Sequence, residues 1–68
     1  MNAFHVTGKG VSMEMAMRHG HEQIMAKIQE ITETHHRLTP PTIETQSHSS
    51  WYASGMGFYA TFYITLKL

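Results

Sequence analysis

Met13-x-Met15-x-Met17-x-His19-x-His21 is the densest set of potential ligands in this chain. Thioethers and imidazoles are soft donors that suit Cu(I). In an extended segment all five side chains would point the same way. On a helix they would not. Residues two apart lie about 200° round a helix axis, so only Met13/Met17, Met15/His19 and Met17/His21 would share a face. On that alternative Met13 and Met17 are adaptable core fillers and the histidines belong to the polar face.

Other chemistry is sparser. His35-His36 are adjacent but have no spaced third ligand. His19-x-His21 with Glu22 lacks the four-residue histidine spacing of a helical metallohydrolase motif, leaving only a structural zinc shared between subunits. Ser47-His48-Ser49 sets hydroxyls beside an imidazole, yet neighbours along a strand face opposite ways and make no nucleophile–base pair. None of the five carboxylates forms a recognisable acid/base pair. Gly55-x-Gly57 is too short for a phosphate-binding loop and fits a hairpin turn. The expectation is a protein that is not an enzyme. Trp51, Tyr52, Tyr59, Thr61 and Tyr63 are instead the candidate ligand or interface residues. Flat aromatics with polar handles serve both planar-ligand sites and subunit contacts.

The elements that must carry these residues begin with the end of the chain. Phe58, Ala60, Phe62, Ile64, Leu66 and Leu68 alternate with Tyr59, Thr61, Tyr63, Thr65 and Lys67, the period of a two-faced strand. Residues 2–11 predict a first strand, with Phe4, Val6 and Gly8 on one face and His5, Thr7, Lys9 and Val11 on the other. Gly8 and Gly10 mark a bulge or a close backbone approach. Ser12 stands where a helix cap belongs, with Glu14 in the first turn. Met13, Met17, Gly20, Ile24, Ile28 and Ile31 then predict a helix over 13–34, with a kink open at Gly20. His35, His36 and Arg37 suit the negative end of its dipole, and Pro40-Pro41 forbid continuation.

Residues 42–52 predict a second strand, an edge or bulged one. It would have Ile43, Thr45 and Ser47 on one face and Thr42, Glu44, Gln46 and His48 on the other. The fold class is α+β: a three-stranded antiparallel sheet packed on one helix, order β-α-β-β, as one small domain over residues 1–68. The expected core is Phe4, Val6, Ile24, Ile28, Ile31, Ile43, Phe58, Phe62, Ile64 and Leu66. One helix covers one face of such a sheet, so the Tyr/Thr face is either wet or covered by another subunit.

A chain of 68 residues without cysteine buries only about 60% of its unfolded surface and has no disulfides to compensate. Self-association or metal binding is the expected supplement. Five basic and five acidic residues leave no electrostatic footprint for nucleic acid. No apolar run reaches the ~20 residues of a membrane span. Met-Asn-Ala-Phe-His lacks the regions of a secretory signal. The expected location is cytoplasmic.

The β-α-β-β order, closed by the tyrosine- and threonine-laced strand Phe58–Leu68, resembles the dodecins. The resemblance implies a sheet wrapped on one helix, a homo-oligomeric shell and a bound flavin. In that family the flavin contacts are a tryptophan shortly after the helix and a glutamine early in the last strand. Here those places hold Thr39-Pro40-Pro41 and Tyr59, and Trp51 lies near the turn, so neither contact carries over. The leading expectation is a non-enzymatic homo-oligomeric binding or assembly module. A dodecin-like container for a flavin or other planar ligand is the alternative, and a Met/His metal-binding protein comes third.

Overall fold

Strand β1 (Ala3–Gly10), helix α1 (Met13–Thr34), strand β2 (Thr42–Ala53) and strand β3 (Gly57–Lys67) follow one another in a computed structural model. It describes residues 3–36 and 38–67, so the expectations placed on Asn2, Arg37 and Leu68 lie outside the described residues. The three strands form one antiparallel sheet in the order β1-β3-β2. The α+β reading with element order β-α-β-β therefore holds.

Ser12 starts the helix. Its backbone is extended (φ −142°, ψ 162°) and its Oγ accepts the Met15 N–H at 3.2 Å, satisfying one of the N–H groups a first turn leaves open. Glu14 lies in that turn and reaches Arg18 at 3.3 Å, an exposed pair that contributes little. At the far end His35 N–H donates to Ile31 O at 3.0 Å, and His36 N–H to Glu33 O at 3.3 Å. His36 has φ 52°, the left-handed conformation that ends many helices.

The helix runs unbroken through Gly20, and Gly8 is no bulge. Both glycines mark a close approach. A Cβ on Gly8 would collide with the Ala16 carbonyl and the Gly20 backbone, and a Cβ on Gly20 would collide with the Phe62 ring. Small residues thus bring α1 down onto β1 and β3, over which it packs, while it scarcely touches β2. Ala16, Ile24, Ile28, Ala60, Phe62, Ile64 and Leu66 are the buried hydrophobics, flanked by Phe4, Val6, Met13, Met17, Ile31 and Phe58.

Two expectations about β2 need correction. Ile43 is 42% exposed and stands outside the core. The faces also differ from the simple alternation. A register shift between Ile43 and Thr45 leaves Glu44 as an extra residue. Ile43 therefore shares the helix side with Gln46, His48, Ser50 and Tyr52, while Thr42 joins Thr45, Ser47, Ser49 and Trp51 on the outer face. A bulge flips the phase of every side chain beyond it. From Thr42 to Tyr52 every residue is exposed. The described residues extend 43 × 18 × 14 Å with a radius of gyration of 13.2 Å, against about 11 Å for a compact chain of this length.

Candidate functional site

The outer face of the sheet is a row of rings and hydroxyls set by the antiparallel register. Lys9, Tyr59 and Trp51 stand side by side, then Thr7, Thr61 and Ser49, then His5, Tyr63 and Ser47. Trp51 lies parallel to Tyr59, with ring centroids 5.5 Å apart and an interplanar angle of 7°. Thr61 is buried at the centre of the row, its hydroxyl paired with that of Thr7 at 2.9 Å. Tyr63 is 52% exposed and its ring is tilted towards His5 at 6.2 Å. Beside it lies an open hollow of about 350 Å³ bounded by His5, Thr45, Ser47, Tyr63 and Thr65.

Of the five residues singled out from sequence, Trp51, Tyr59, Thr61 and Tyr63 meet on this face. Tyr52 does not. It pairs with Phe58 on the helix side, with ring centroids 4.8 Å apart. Residues next to one another on a strand project to opposite faces, so the Trp51-Tyr52 dipeptide presents one aromatic on each side of β2.

The helix side brings together residues that nothing in the sequence gave reason to group. His21 from α1 and His48 from β2 both pack on the Phe62 ring, at 4.9 Å and 5.5 Å. Next to them His21, Ile24, Met25, Ile43 and Gln46 line a hollow of about 320 Å³ between α1 and β2. The signal for this region was the phase of β2, which shows only once Glu44 is recognised as the extra residue.

The Met/His segment is helical throughout, so its side chains are spread round α1. Met13 and Met17 pack against the core, Met15 is 45% exposed, and His21 lies on Phe62. His19 ties the helix to the first strand, since its Nδ1 accepts the Lys9 N–H at 3.1 Å. That fixes the neutral ring with its hydrogen on Nε2. The Gln23 amide nitrogen, 3.5 Å from Nε2, then makes no hydrogen bond with it, because both would be donors. Gln23 Nε2 donates instead to the Thr7 carbonyl at 2.6 Å. Among the described residues no group of three or more His, Asp or Glu side chains is placed to hold a metal ion.

No protein-family model, curated protein or solved structure matches this chain.

The two faces of β2 offer flat rings, short hydroxyls and two open hollows. Among the described residues no helix is long and apolar enough to cross a membrane.

Proposed function

We propose that this chain is a non-enzymatic assembly module that works as a homo-oligomer. One observation carries the reading: every residue of β2 from Thr42 to Tyr52 is exposed although the strand pairs with β3 on both sides of the Glu44 bulge. A strand bare on both faces stabilises little by burial, and the chain has few other resources. Its accessible surface is 4783 Å², against about 4400 Å² for an ordinary folded monomer of its mass. Trp51 and Tyr52, 44% and 60% exposed, are residue types that interfaces favour. The cysteine-free, formally neutral composition suits a cytoplasmic module without nucleic-acid partners. Size-exclusion chromatography with light scattering at micromolar concentration tests the reading, with a mass of at least twice the chain expected. A clean monomer ends it.

A second reading, a dodecin-like container for a flavin or another planar ligand, is favoured by the Trp51–Tyr59 stack. Tyr59 covers one side of the indole, and Trp51 keeps nearly half its surface open. A flat ligand would extend that stack. Trp51 is the only tryptophan, so flavin binding would quench the whole of the tryptophan emission. Unchanged emission at micromolar flavin rules the container out for flavins.

A further inference from the structure

The two edges of the sheet are not equivalent. On β1 the Lys9 N–H and the Thr7 carbonyl, two residues apart and so on the same strand edge, are taken up by His19 and Gln23 of α1. The helix thereby caps the Thr7–Lys9 part of the β1 edge. Among the described residues no α1 side chain is hydrogen-bonded to the β2 backbone, and the one edge-blunting device on β2 is the bulge at Glu44. The strand contains no proline, lysine or arginine, and its one charged residue, Glu44, sits at the bulge.

β2 is also self-complementary along its length. One end carries two exposed aromatics, Trp51 on the outer face and Tyr52 on the helix side. The other end carries two hollows, one on each side of the sheet. The outer hollow lies beside Ser47 and Tyr63, and the hollow on the helix side beside Gln46 and Met25. A two-fold axis through Ser49 relates these ends. We propose that a second copy of this chain pairs antiparallel with β2 about Ser49, making one continuous sheet, with Trp51 seated in the partner's hollow at Ser47 and Tyr52 in the partner's hollow at Gln46.

The register follows from parity and position. Residues directly opposite one another in an antiparallel pair share a face. Pairing about Ser49 puts Trp51 opposite the partner's Ser47, both on the outer face. It puts Tyr52 opposite the partner's Gln46, both on the helix side. Ser47 is short, so the space beside Tyr63 stays open to an indole. A change of rotamer swings Trp51 from its own Tyr59 into that space. Glu44 falls beyond the paired stretch Thr45–Ala53, so no like charges meet. The surface in excess of an ordinary monomer, roughly 400 Å², is about half of what each partner in a standard interface buries. The proposal rests on the self-assembly reading above and adds the surface, the symmetry and the register.

The test uses the absence of cysteine. In this register each Ser49 faces its own copy, with Cα atoms about 4.5–5.5 Å apart, inside the roughly 4.4–6.8 Å span of disulfides. Single variants Ser49→Cys and Thr45→Cys are oxidised with diamide and run on non-reducing gels, beside light scattering of the wild-type chain. Expected are a wild-type oligomer, near-complete dimer cross-linking of Ser49→Cys and little of Thr45→Cys. Ser47→Arg, which fills the outer hollow at an exposed site, is expected to lower the assembled mass and shift Trp51 emission to the red. An oligomeric wild type with Ser49→Cys no better cross-linked than Thr45→Cys overturns this pairing and leaves the assembly reading standing. A monomeric wild type overturns both.

Discussion

Phe62 is the residue on which the fold turns. It is fully buried, Gly20 presses on its edge, and the imidazoles of His21 and His48 lie against it. An alanine at position 20 would ordinarily strengthen a helix by about 1 kcal/mol. Here its methyl would enter the space of the Phe62 ring, and overpacking of that kind costs about 1–3 kcal/mol. Gly20→Ala is therefore expected to lower the urea midpoint, whereas Ala26→Ser on the exposed side of α1 leaves it nearly unchanged. A higher midpoint for Gly20→Ala would show that the helix can lift off the sheet freely. The sequence marked Gly20 as part of the apolar row and left open whether it served packing or a kink. That choice needed the ring opposite, which no spacing along α1 reveals. The same limit applies to Trp51 and Tyr52. Their types raised the expectation of a ligand site or an interface, but only the strand geometry showed that they project to opposite faces.

At the scale of elements, β3 and α1 were plain to read because each carries one unbroken period: two in Phe58–Lys67, and three to four in Met13–Ile31. β2 was read correctly as an edge or bulged strand, yet with its faces mis-phased. Thr42-Ile43-Glu44-Thr45 alternates smoothly, and nothing in those residue types declares that Glu44 has no partner on β3. Ile43 accordingly looked like core and stands exposed at 42%. The end of α1 offers a second check at this scale. His36 holds φ 52°, a conformation that glycine adopts without penalty and other residues do not. His36→Gly is expected to stabilise the chain by about 0.5–1 kcal/mol, read as a rise in the denaturation midpoint. A fall would mean that the imidazole makes a contact worth more than the relief of the backbone.

For the whole molecule, the controlling fact is that one helix serves two strands of a three-stranded sheet. Burial by a second copy would then contribute to the apparent stability of each chain, and association stabilises in proportion to the logarithm of concentration. The melting temperature is expected to climb by several degrees between low-micromolar and near-millimolar protein, since about 1 kcal/mol moves a domain this small by roughly 4–8 °C. A melting temperature independent of concentration would mean that the chain stands alone at these concentrations. The order β1-β3-β2 also bears on synthesis. The strand at the centre of the sheet is the last of the four elements to leave the ribosome. Until Gly57–Lys67 has emerged, β1 has no strand to pair with, and β2 has no neighbour on either side. The nascent chain can wind α1 early, but its sheet must wait and then close in one late event that joins Ala3 to Thr65 and Gly10 to Phe58. Ending a loop of that length is entropically slow. In the interval Thr42–Ala53, rich in β-formers and nearly uncharged, is the segment most in need of a chaperone's cover.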